Sequence, residues 1–146
     1  MQNTSSAHPS STKTLFKHGE YTITLEGHVI KAEFTGVATE NMMKQYHADV
    51  VSLVQPLQGA SWGFLGSIHG TGVLTPETEA LLVASLQERM KIGMRGCAVI
   101  ADGAKIPAMV VQQLARVFKK ASMPYLFCSS DEEGFKWLAE QGCVSS

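Results

Sequence analysis

Residues 96–121 read GCAVIADGAKIPAMVVQQLARVFKKA, and they hold the unit from which the rest of the chain is built. Cys97 to Ala101 is a short unbroken apolar run between Gly96 and Asp102-Gly103. A strand covered on both faces has no polar side to show, so this run predicts an interior parallel strand. Pro107 then opens a helix. Its apolar positions Val110, Val111, Leu114, Val117, Phe118 and Ala121 oppose Gln112, Gln113, Arg116, Lys119 and Lys120, with the two lysines in the last turn, where they complement the helix dipole.

The same unit repeats outward in both directions. Upstream, Thr75-Pro76-Glu77 reads as N-cap, N1 proline and acidic first turn. Leu82, Leu86 and Met90 mark that helix's apolar stripe, which stops near Gly93. Before it, Trp62, Phe64 and Ile68 alternate with Ser61, Gly63 and Ser67, a strand whose second face is small enough for another element to lie close against it. Met42, Met43, Tyr46, Val50, Leu53, Val54 and Leu57 recur at steps of three and four behind Thr39, predicting a first helix that ends near Pro56 and Gly59. Tyr21, Ile23, Leu25 and Ile30, Ala32, Phe34 alternate with polar residues around Gly27, an opening hairpin with one apolar face. Downstream, Tyr125 to Cys128 is a last strand, and Ser130 with three acidic residues caps a helix through Phe135, Leu138 and Ala139, ending at Gly142.

The predicted order is β-β-α-β-α-β-α-β-α: an α/β fold with a mixed, mainly parallel sheet and right-handed βα crossovers. Residues 1–14 are Ser, Thr, Asn, Gln, Pro and His without apolar period, so a disordered leader is expected there and one α/β domain over 15–146.

This order, with a helix opening on Ala38-Thr39-Glu40-Asn41 and a short acidic-capped last helix, resembles the anti-sigma-factor-antagonist (STAS, SpoIIAA-like) family along residues 20–142. The resemblance rests on element order and length. It implies a regulatory module that meets a protein partner. Phosphorylatable members carry an Asp-Ser-Ser-Gly type motif at the start of the helix after the third strand. Here that junction reads His69-Gly70-Thr71-Gly72-Val73-Leu74-Thr75-Pro76-Glu77, without serine or aspartate. The chain is therefore similar to a divergent branch lacking the phosphoswitch, for which CRAL-TRIO-like lipid binders are the nearer comparison. Thr75 is expected to serve as a cap.

Composition narrows the function classes. Of 146 residues 45% are hydrophobic and 17% charged, and the net charge is −1, so no basic field exists to draw in nucleic acid. No apolar run reaches the roughly 18 residues of a spanning helix, and no signal peptide is read, so the expected location is the cytoplasm. Three cysteines, Cys97, Cys128 and Cys143, have no metal-ligand spacing and are expected as free thiols.

Candidate site residues come from the carboxyl ends of parallel strands, where open α/β sheets bind ligands. They are His69, Thr71, Thr75, Asp102 and Ser129, which together would line a ligand or partner rim. The glycines at 66, 70 and 72 fit neither a Walker loop nor a dinucleotide fingerprint and read as a turn needing positive φ. Without a nucleophile elbow or a ligand cluster, no catalytic residue, metal or cofactor is expected. Seven methionines, with Met42, Met43, Met90, Met94 and Met109 on or beside apolar stripes, admit an adaptable cavity between helices and sheet. Trp137, off the Phe135-Leu138-Ala139 face, reads either as exposed, marking a contact surface, or as a partly buried end-of-helix tryptophan. The expectation is a non-enzymatic interaction module, with a carrier or sensor of a small apolar ligand as the alternative. Partners are a protein, with a homodimer allowed, or an apolar small molecule.

Overall fold

The computed structural model describes residues 11–15 and 19–144. A mixed six-stranded sheet carries four helices in the order β1 (Ser11–Leu15), β2 (Gly19–Glu26), β3 (Val29–Gly36), α1 (Glu40–Leu53), β4 (Trp62–His69), α2 (Pro76–Lys91), β5 (Met94–Ile100), α3 (Pro107–Ala121), β6 (Tyr125–Phe127) and α4 (Asp131–Glu140). The strands lie side by side in chain order. β1, β2 and β3 are antiparallel neighbours, and β3 to β6 run parallel.

β1 corrects the expected leader. Residues 11–14 were read as unstructured because they offer nothing to bury, yet the backbone pairs with β2 from Ser11↔Thr24 to Leu15↔Glu20. The open edge of the hairpin supplies a row of unpaired N–H and C=O groups, and backbone pairing to an edge needs no apolar side chain. Residues 1–10 lie outside the described part of the chain.

Successive strand residues point to opposite faces, and this divides the core in two. Ile30, Ala32, Phe64, Cys97 and Val99 join Met42, Met43, Tyr46, Leu86, Val110, Leu114 and Phe118 in a large cluster under α1, α2 and α3. Val29, Leu65 and Ala98 face the other way and pack with Cys128, Leu138 and Cys143. Among the described residues α4 is the helix that covers this second face, over β4 and β5. Glycine permits the approach: a Cβ on Gly134 would stand 2.6 Å from Leu65 Cδ1, and one on Gly63 would stand 2.7 Å from Leu138 Cδ2. This is what lies against the small-residue face of β4. Trp137 also belongs here, partly buried in the second cluster with its ring edge over Gly96, the second of the two positions its place on the helix allows. The indole spans from α4 to a glycine that offers no side chain of its own.

The helix starts follow their caps. Thr39 accepts from Met42 N–H at 3.2 Å, Thr75 from Thr78 N–H at 3.2 Å, and Ser130 from Glu133 N–H at 3.1 Å. The Glu133 carboxylate returns to Ser129 N–H at 3.0 Å, so the start of α4 is tied reciprocally. Cys97, Cys128 and Cys143 are free and buried. Among the described residues no helix is long and apolar enough to cross a membrane.

Candidate functional site

The rim expected from sequence assembles only in part. His69 ends β4 with its Nε2 3.4 Å from the Glu33 carboxylate and its ring against Gly103, so that the loop bearing Asp102 lies beside it. Thr71 donates to the Gly36 carbonyl at 3.2 Å. Gly70 and Gly72 take φ of +74° and +64°, the left-handed turn that the glycine spacing predicts. Two single parallel bridges, Ala38↔Leu74 and Gly70↔Ala104, extend the sheet beyond its strand ends here. Thr75 is occupied at the head of α2, accepting from Thr78 N–H and donating to the Thr78 hydroxyl at 2.9 Å. Asp102 and Ser129 are exposed, and among the described residues no hydrogen bond or ion pair joins Ser129, His69 and Asp102. Thr71, Thr75 and the Ser129 amide are engaged in local ties, and His69 faces the Glu33 carboxylate.

Beneath it, between the sheet and helices α1 to α3, lies a cavity of about 80 Å³. Its wall is apolar over most of its extent: Phe34 and Phe64 from the sheet, Met42 and Met43 from α1, Leu82 and Leu86 from α2, Leu114 and Phe118 from α3. Gly72 and Leu74 belong to the same wall. Leu74 is held in place by the Gln113 amide, which accepts from Leu74 N–H at 2.9 Å and donates to Leu74 C=O at 3.0 Å. Gln113 also lies 3.4 Å from Glu79, whose carboxylate takes two bonds from Arg116 at 3.0 and 2.7 Å. α3 thus pins both the start of α2 and the loop that leads into it.

One wall residue breaks the pattern. Arg89 is 2% exposed. Leu82, Leu86 and Arg89 stand at i, i+4 and i+7 on one face of α2, so the arginine occupies the apolar stripe about 10 Å along the axis from Leu82. The sequence reading gave this place to Met90, which is only half-buried, because a positive residue near a helix C-terminus is normally a solvated complement to the dipole. The missed signal was the phase of the stripe, on which 89 falls as well as 90.

The surroundings of Arg89 hold no carboxylate partner. Among the described residues no ion pair includes it, and its hydrogen bond is from Nε to the Ser85 carbonyl at 3.3 Å. Its carbon Cζ lies 5.1 Å from the centre of the Tyr46 ring, a cation–π contact. Arg89 Nη2 and the Tyr46 hydroxyl are both buried without a hydrogen-bond partner. Burial pushes the Tyr46 phenol well above its ordinary range, and the neighbouring guanidinium, by its charge and its reach toward the phenol oxygen, pulls in the opposite direction. Cys97, on the same wall, is pushed up to about 12 by burial, against the opposing pull of Arg89. Burial, with Arg89 adding to it, lowers His47, one residue beyond Tyr46.

These groups leave a charge uncompensated. Taking an ion out of water costs several kcal/mol even after the protein relaxes. A desolvated cation–π contact returns about 2 kcal/mol, and a long bond to a carbonyl already in the helix ladder about 1 kcal/mol. A guanidinium cannot shed its proton to escape the deficit. The arrangement can therefore accept an anion, and its walls suit an apolar remainder.

Compared with known proteins, the chain matches no family model, no curated protein and no solved structure.

Proposed function

We propose that the chain is a non-enzymatic binding module of STAS, SpoIIAA-like type, and that it carries or senses a small apolar molecule held between its sheet and helices α1 to α3. The observation that carries this is the cavity itself, with two methionines among its lining residues and a polar content confined to one end. Methionine side chains repack around ligands of different outline at little cost. The fold part of the proposal is supported by the element order and by parallel strands that neighbour one another in chain order, with the right-handed crossovers that such connections almost always have.

Methyl spectra of protein carrying 13C-methyl methionine test the reading directly. Titration with xenon or ethanol, each small enough for about 80 Å³, is expected to shift the Met42 and Met43 signals saturably, and Leu86→Phe, which places a ring in the cavity, is expected to remove the response. Methyl signals that neither compound moves would refute it. The regulatory-interaction reading is favoured instead by exposed Val37, Ile106 and Met109, all following the carboxyl ends of parallel strands. A stable heteromer in native mass spectra, together with unmoved methyl signals, would put that reading first.

A further inference from the structure

We infer that the open edge of β6 is an interface at which two copies of this chain join, the two strands pairing antiparallel about a two-fold axis through Leu126.

β6 closes the sheet on the side opposite β1, and among the described residues no strand lies beyond it. Its register with β5 decides which backbone groups are free. Cys97 N–H donates to the Pro124 carbonyl at 3.0 Å and Cys128 N–H to the Val99 carbonyl at 2.9 Å, with Leu126 opposite Ala98 between them. Alternate residues of a parallel strand serve one side of it, so β5 takes the groups of Leu126, and the N–H and C=O of Tyr125 and Phe127 point outward. Natural sheet edges are ordinarily blunted by a lysine, a bulge or a proline. β1 has Lys13 at its middle. β6 reads Tyr-Leu-Phe, apolar throughout.

The outward groups are complementary to themselves. Turned about Leu126, Tyr125 stands opposite Phe127 of the second copy, and the two residues exchange both N–H···O=C bonds, an exchange the symmetry then repeats. On the face under α3 this sets the Tyr125 ring beside the second copy's Phe127. It extends an aromatic row in which Phe118 already stacks on Tyr125 at 5.3 Å and Tyr125 meets Phe127 at 5.7 Å. Gln113 and Arg116 turn toward Glu79 on α2, so the opposite flank of α3, above the open edge, is Ala108, Val111, Ala115 and Ser122. These residues are small and uncharged, which leaves room for the second copy's α3 alongside.

Charge sets the direction and favours a second copy over an unrelated strand. Lys119 and Lys120 stand in the last turn of α3, just before β6, and Asp131, Glu132 and Glu133 in the first turn of α4, just after it. β6 is therefore basic where it starts and acidic where it ends. Antiparallel pairing brings the basic end of each copy to the acidic end of the other, whereas parallel pairing sets like against like. Asp131 is held by Lys31, and Glu133 by the Ser129 amide. Lys119 and Glu132 are exposed and in no ion pair among the described residues, so these two form the pair across the interface.

Sedimentation velocity of the full chain over a wide concentration range tests the interface, with amide exchange locating it. A reversible rise from the chain mass to twice that mass is expected, and the amides of Tyr125 and Phe127 are expected to exchange more slowly as concentration rises. Lys119→Glu and Glu132→Lys, both surface changes, are each expected to weaken self-association by about tenfold, because the two-fold places two like-charged pairs in every dimer. An equimolar mixture of the two variants is expected to regain the natural affinity, since both pairs in the mixed dimer are again opposite in sign. A monomer at every concentration, a dimer whose Tyr125 and Phe127 amides exchange independently of concentration, or a mixture that associates no better than either variant would overturn the assignment. So would a chain that stays monomeric and protects those two amides only when an extended valine-threonine peptide is added, which would give the edge to a different partner.

Discussion

Replacing Arg89 with methionine should make the ligand-free protein more stable, opposite to the usual outcome of altering a residue that is 2% exposed. Methionine keeps most of the unbranched stem and removes the charge. What is lost is the cation–π contact at 5.1 Å from Tyr46, up to about 2 kcal/mol, and the 3.3 Å bond to the Ser85 carbonyl, about 1 kcal/mol. What is relieved is the burial of an unpaired ion, several kcal/mol, including an Nη2 with no partner. The balance favours Arg89→Met by about 1–3 kcal/mol, or a rise in Tm of roughly 3–10 °C for a chain of this length. Urea unfolding followed by circular dichroism, on protein dialysed free of small acids and with m unchanged, measures it. If Arg89→Met instead lowers stability by more than about 1 kcal/mol, the guanidinium is an internal tie and the reasoning from an unsatisfied charge is wrong.

Other expectations follow from the helix ties. Thr75→Ala should cost about 1–2 kcal/mol in denaturant unfolding, because it removes the cap of α2 and the partner of the buried Thr78 hydroxyl, whereas Thr75→Ser should retain most of that. Gln113→Ala should cost about 1–2 kcal/mol in denaturant unfolding, since two bonds to Leu74 disappear. Arg116 holds the Glu79 carboxyl below its ordinary value of 4.5, so this pair stabilises the fold above that value and its contribution fades as pH falls through the lowered one. Arg116→Met should accordingly lower the unfolding midpoint slightly at neutral pH and not at all in strong acid, measured by unfolding at both. The thiols of Cys97, Cys128 and Cys143 should all react with a thiol reagent after denaturation without reductant and only slowly before it.

The amino-acid sequence alone determined the alternation of elements, because each part of it has a local cause. Cys97 to Ala101 is apolar without interruption, as a doubly covered strand must be, and Thr39, Thr75 and Ser130 stand where helix starts need an acceptor. The turn at Gly70 and Gly72 was legible for the same reason: positive φ is a property of single residues. Pairing of β1 was not legible, since it depends on a free sheet edge elsewhere in the chain and leaves no apolar pattern. Nor was the closeness of Trp137 to Gly96, which needs α4 laid across β5.

The site divides in the same way. Sequence placed His69, Thr71, Thr75, Asp102 and Ser129 at strand ends and helix starts, but only packing could show that Thr71 and Thr75 are occupied by local hydrogen bonds and that Asp102 is exposed. The methionines fit core packing or an adaptable cavity, and both occur: Met94 is buried in the core, while Met42 and Met43 line the cavity. Arg89 escaped because an arginine in the last turn of a helix has a sufficient local explanation. Three elements had to close around it before its charge became a question: α1 with Tyr46, β5 with Cys97, and the face of α2 itself. Desolvation is a property of that whole enclosure, so no neighbouring residue in the chain can announce it, and the tertiary structure alone decided where the unpaired charge lies.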